Sequence, residues 1–179
     1  VSIVVESSIG AVIVTEVIAI TNTSIDKVDT TEKPLYIKLP DEIEFFRMME
    51  SNSSITIKHQ LEGNLLGINH IFPTGSTQII YQYMLPSYFG ILEINREFDH
   101  PIEIVNVYTP VGHLELNSNK LIFAGKRNLN DTTFLSWETK KSDSNKLNFR
   151  IKNIPTRSLE YAGVAVIIIV FAIFGVLLF

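Results

Sequence analysis

The chain has 179 residues, 46% of them hydrophobic, with 15 basic and 19 acidic side chains, no cysteine and a formal net charge of -4. That length suits one domain of ordinary size plus an appendage and leaves little room for a second full domain. The missing cysteine excludes a disulfide-stapled mini-domain and a cysteine-ligated zinc or iron-sulfur site, and the acidic balance argues against a nucleic-acid binder.

From residue 2 to residue 152, short apolar or alternating runs are separated by Gly, Pro, Asn and Ser clusters. This is the signature of an all-β domain. Strands are predicted at 2–5, 11–21, 35–39, 44–48, 54–59, 67–71, 77–85, 92–98, 103–108, 113–116, 120–123, 133–138 and 147–152. The run 77–85 is the clearest, since Ile79, Tyr81 and Tyr83 alternate with Gln78, Ile80, Gln82 and Met84 to give one aromatic and one mixed face. Turn chemistry brackets the runs, as in Ser7-Ser8-Ile9-Gly10 and Pro73-Thr74-Gly75-Ser76. So many short strands must each hide an apolar face, and two sheets packed face to face are the usual solution. The expectation is an immunoglobulin-like β-sandwich over 1–152, a short juxtamembrane linker at 153–161 with Pro155 ending the last strand, and one transmembrane helix at 162–179.

The last stretch reads AGVAVIIIVFAIFGVLLF and carries no charge. At about 1.5 Å of rise per residue it spans roughly 27 Å as a helix, close to the roughly 30 Å hydrocarbon core. A helix satisfies its own backbone in lipid, so the β-branched run 166–170 is no obstacle. Tyr161 stands at its start, where an amphipathic ring prefers the interface. Arg150, Lys152 and Arg157 all precede it, and a literal count of positive charge would put the domain in the cytoplasm. A first residue of Val and a last residue inside the apolar run fit a chain trimmed at both ends, which removes that orientation signal.

Segments 12–24 (VIVTEVIAITNTS), 33–42 (KPLYIKLPDE), 72–86 (FPTGSTQIIYQYMLP) and 96–110 (REFDHPIEIVNVYTP) fall in that order over about a third of the chain. Together they resemble a loosely defined group of prokaryotic, membrane-anchored, extracytoplasmic β-sandwich proteins. The resemblance rests on turn and core residues and carries over no catalytic constellation. It implies a cell-membrane protein whose domain stands on the periplasmic or extracellular side, in some bacterial settings linked to respiratory or cytochrome c machinery.

Chemistry-bearing residues are sparse. His59, His70, His100 and His113 match no short zinc or copper pattern, and a blue-copper site lacks its cysteine. His59 and His70 lie on neighbouring predicted strands, and Met84 is a soft candidate for an axial haem ligand, against the plainer reading of strand-end histidines and core methionine. No G-x-S-x-G elbow, phosphate-binding loop or EF-hand spacing occurs, and the acidic cluster Asp41, Glu42, Glu44 reads as a solvated loop. Tyr88 and Phe89 in the 86–90 loop are candidates for an interface, as are Gly163 and Gly175, small residues that permit close helix approach. Asn22, Asn52 and Asn130 each open an Asn-x-Ser/Thr triplet.

The leading expectation is a non-catalytic accessory or scaffold subunit, without cofactor, whose partners are membrane lipid and other integral membrane subunits. The alternatives are a membrane-anchored haem- or copper-binding electron-transfer module and a surface adhesin or carbohydrate-binding domain.

Overall fold

In a computed structural model, the structure describes residues 1–49, 57–99, 102, 104–129, 131–139 and 145–156. The predicted transmembrane segment, with Tyr161, Gly163 and Gly175, lies outside the described residues, as do Asn52, His100 and Asn130. Among the described residues no helix is long and apolar enough to cross a membrane.

The described chain is all-β. In order it forms β1 (Ser2–Ser8), β2 (Ala11–Asn22), β3 (Val28–Asp29), β4 (Leu35–Lys38), β5 (Phe45–Met49), β6 (Lys58–Glu62), β7 (Leu65–Asn69) and β8 (Ile71–Phe72). It continues with β9 (Gly75–Pro86), β10 (Leu92–Glu97), β11 (Asn106–Pro110), β12 (Glu115–Asn117), β13 (Leu121–Leu129), β14 (Thr132–Thr139) and β15 (Lys146–Lys152). Four sheets result: a seven-stranded sheet ordered β13-β14-β11-β1-β2-β9-β5, two three-stranded sheets, β10-β15-β12 and β4-β7-β6, and the short pair β3-β8.

Alternation decides which residues face the core. On β9, Ile79, Tyr81, Tyr83 and Leu85 are buried while the residues between them are not, as the sequence periodicity predicts. On β15, Leu147, Phe149 and Ile151 are buried between exposed Lys146, Asn148 and Arg150. The longest ladder joins β2 to β9, from Ala11 opposite Pro86 to Asn22 opposite Gly75. Antiparallel pairing is the rule, with β1 and β11 running parallel. Inward side chains of the large sheet (Ile3, Val14, Tyr81, Val107) share one hydrophobic core with those of both three-stranded sheets (Leu66, Ile68, Ile94, Phe149).

Three differences from the sequence-based expectation have physical causes. β11 begins at Asn106, three residues later than expected, because its parallel register with β1 starts at Ser2 opposite Asn106. β13 runs to Leu129 rather than to 123, since backbone pairing with β14 holds the mostly exposed polar stretch that follows a bulge between Phe123 and Gly125. It is the outermost strand of its sheet, where Lys126 and Arg127 guard an open edge. The two-residue strands β3 and β8 are too short to leave a periodic signal.

Candidate functional site

β2 carries one acidic residue in the inward phase of an apolar run, and β10 carries one basic residue in the same phase. Both end up in the core. Glu16 and Arg96 have fully buried side chains, with Arg96 Nε donating to Glu16 Oε1 at 2.7 Å and Nη2 donating to Oε2 at 2.9 Å. The Tyr81 hydroxyl donates to Oε2 at 2.8 Å and the Tyr83 hydroxyl to Oε1 at 2.5 Å. Arg96 Nη1 donates to the backbone carbonyl of Lys38 on β4. Its guanidinium carbon also lies 4.8 Å from the centre of the Phe98 ring. One side chain on β10 thus joins the seven-stranded sheet and the β4-β7-β6 sheet to its own.

Electrostatics hold the guanidinium and the two phenols of this clasp in their protonated forms. Burial disfavours the charge on Arg96, but the Glu16 carboxylate and the adjacent phenols more than offset that, so its pKa lies above the ordinary arginine value. Burial, then the Glu16 charge, pushes the Tyr81 and Tyr83 phenols well above the usual tyrosine range. Near neutral pH the tyrosines stay protonated and Arg96 charged. A saturated network of this kind supplies rigidity rather than proton transfer.

Above Arg96 opens a cleft of about 470 Å³, lined by Lys38, Leu39, Pro40, Leu92, Arg96 and Lys146 among others. Across its rim Glu97 accepts ion pairs from Lys38 Nζ at 3.2 Å and Lys146 Nζ at 2.8 Å. The hydrogen bond from Lys146, then that from Lys38, holds the Glu97 carboxyl below its ordinary value. Asp41, Glu42 and Glu93 add three more carboxylates to the lining, and Arg96 is turned towards Glu16.

The histidine and methionine candidates do not converge. His59 is exposed on the outer strand β6, with its ring 5.9 Å from that of Phe46. Phe46 stands opposite Tyr83 and so shares the inward face of the large sheet. Met84 alternates to the other face of β9, so the sheet backbone separates it from His59. His70 packs edge-on against Phe72 at 5.0 Å, and its Nε2 is buried with no hydrogen-bond partner among the described residues. Strand β6 puts His59 opposite Ile68, two residues before His70, but no third ligand joins them among the described residues. Among those residues no group of three or more His, Asp or Glu side chains is placed to hold a metal ion.

Asn22 has a structural duty. Its Nδ2 donates to the carbonyls of Asp26 and Phe72, and its Oδ1 accepts from the amide and hydroxyl of Ser24, which fixes the turn after β2.

Tyr88 and Phe89 lie in the tight turn between β9 and β10, two strands that belong to different sheets. Tyr88 and Ile91 exchange backbone hydrogen bonds, and both central residues have positive φ, 53° at Phe89 and 74° at Gly90, the geometry of a primed turn. Tyr88, Phe89 and Ile91 are exposed there. A Cβ on Gly90 would stand 2.9 Å from the Ile154 carbonyl, so the close approach requires glycine. The resulting contact ties the end of the described chain to this turn: Ile154 N–H donates to the Gly90 carbonyl at 3.1 Å. Gly10 N–H donates to the Pro155 carbonyl at 2.7 Å, and Ser87 N–H to the Gly10 carbonyl at 3.0 Å. The candidate interface pair therefore sits beside the point from which the chain leaves for 162–179.

Sequence reasoning does not single out the Glu16–Arg96 clasp. Its signal is a charged residue at a position whose strand neighbours two away are buried and apolar, Val14 beside Glu16 and Ile94 beside Arg96. No protein-family model matches the chain, and no curated protein matches it.

Proposed function

We propose that the chain is a non-catalytic accessory or scaffold subunit of a membrane-protein complex: an immunoglobulin-like β-sandwich on the outer side of the cell membrane, held by one helix at 162–179. The observation that carries this reading is the fixed exit of the chain. Residues 154 and 155 are bonded to the β1–β2 and β9–β10 turns. Five residues, 157–161, then separate the described chain from an uncharged stretch of sequence long enough to cross a bilayer.

Two further features support a binding rather than a catalytic role. The buried ionisable groups are locked against one another in the clasp, which suits a rigid spacer. The edge strand β13 also presents exposed Ile122 and Phe123, the latter edge-on to Trp137 at 5.6 Å, a surface suited to a neighbouring subunit.

The test is native size after gentle detergent extraction from membranes that contain the chain. The proposal expects a particle well above the 20.2 kDa of one chain with its detergent, carrying other integral subunits. Recovery of a lone monomer would contradict it.

A further inference from the structure

Two groups of exposed apolar side chains stand at opposite ends of the long β2–β9 ladder, apart from others such as Tyr36, Met49 and Phe123 elsewhere on the domain. At one end stand Ile25, 93% exposed, with Val28 and Ile71. At the other stand Ile9, 65% exposed, in the β1–β2 turn, and Tyr88 and Ile91, 64% and 46% exposed, in the β9–β10 turn. Val111 follows β11 and is half exposed. Its amide is bonded to the Thr133 carbonyl. Because β11 runs parallel to β1, this loop lies at the same end as Ile9.

Chain connectivity distinguishes the two ends. The Ile9 and Tyr88 turns hold residues 154 and 155 directly, through Gly10 and Gly90. Residues 156–161, the six that follow the bonded pair, can bridge at most about 22 Å even when fully extended. The interfacial layer on each side of the hydrocarbon core is itself roughly 5 to 8 Å deep. The Ile25 end lies the length of β2 away, twelve residues, or roughly 40 Å at about 3.3 Å per residue.

We infer that Ile9, Tyr88 and Ile91 form a lipid-contacting foot, seated in the headgroup layer of the bilayer through which 162–179 passes. The inference rests on the anchoring reading above and adds to it the orientation of the domain. The foot has suitable chemistry. Aliphatic Ile9 and Ile91 lose water on entering the acyl boundary, and the Tyr88 phenol stays at headgroup depth, where a ring with one polar end is favoured. The primed turn holds Tyr88 and Ile91 side by side, so both reach the surface without reordering of the turn. With the foot seated, the Ile25 end of the domain points away from the bilayer.

The absence of cysteine makes the test direct. Single variants Tyr88→Cys, Ile91→Cys and Ile25→Cys of the full chain are labelled with an environment-sensitive fluorophore and reconstituted into phosphatidylcholine vesicles. Quenching is then measured with aqueous iodide and with a headgroup-level lipid spin label. The expected result is blue-shifted emission at 88 and 91, with several-fold less iodide quenching and several-fold more lipid quenching than at 25. Equal iodide access at all three sites, in protein that stays with the vesicles through an alkaline wash, would overturn the foot and leave the anchor standing. Loss of the protein in that wash would overturn the anchoring reading, and the foot with it. Shielding of 88 and 91 in native membranes but not in vesicles would overturn the lipid assignment in favour of a protein cover.

Discussion

Arg96 on β10 crosses the core to grip both carboxylate oxygens of Glu16 on β2, at 2.7 and 2.9 Å, with neither side chain exposed to solvent. Eighty residues of sequence separate the two. Since Arg96 also holds the Lys38 carbonyl, the pair fixes how three sheets meet.

Removing one partner leaves a buried charge alone. Arg96→Met is expected to destabilise the fold by about 3 to 5 kcal/mol, whereas Arg96→Met combined with Glu16→Leu should recover part of that loss, because the apolar pair has no charge to desolvate while the Tyr81 and Tyr83 hydroxyls lose their shared acceptor. Thermal unfolding of the parent, Arg96→Met, Glu16→Leu and the double variant in one detergent measures the cycle. A double variant no more stable than Arg96→Met would show that the clasp does not act as a coupled pair.

The tyrosines set the alkaline limit. Tyr81 and Tyr83 have folded pKa values raised by burial and by Glu16, so the folded state keeps protons that the unfolded chain releases above its ordinary tyrosine value near 10. Below that pH the two phenols add no pH dependence. Above it, stability should fall by about 2.7 kcal/mol per pH unit for the two groups together. Ultraviolet titration should show two of the six tyrosines failing to ionise until the chain unfolds. Tyr83→Phe should reduce that number to one.

Two left-handed glycines should respond differently to alanine. Gly63, φ 61°, has open space where a Cβ would stand, so Gly63→Ala bears only the backbone cost, about 1 kcal/mol. Gly90, φ 74°, would also drive a Cβ into the Ile154 carbonyl. Gly90→Ala should cost about 3 kcal/mol once overpacking is added, and it should detach Ile154 from the β9–β10 turn. Unfolding temperatures rank the two, and faster amide exchange at Ile154 reports the detachment.

Much of the architecture is legible in sequence because burial alternates with period two where a strand has one wet face. Ile79, Tyr81 and Tyr83 on β9, and Leu147, Phe149 and Ile151 on β15, reveal their inward phase through the alternation of residue types alone. The far half of β13 does not, since an edge strand held by backbone pairing places no apolar demand on Lys126 or Arg127. The clasp is hidden for another reason: Glu16 and Arg96 each look like a lone charge in an apolar run, and only the tertiary fold brings them together. Residues 86–90 are legible as a loop with two aromatics. Its bond to Ile154, which places that loop beside the chain exit, is not.

The proposed anchoring of this domain is tested most directly by alkaline extraction of membranes bearing the full chain, alongside a variant with Ile168→Lys and Phe171→Lys. Two charges near the middle of 162–179 disfavour a span by about 5 to 7 kcal/mol. The account predicts that the parent chain stays in the membrane pellet and the variant is released. Release of the parent chain, or equal retention of both, would contradict it.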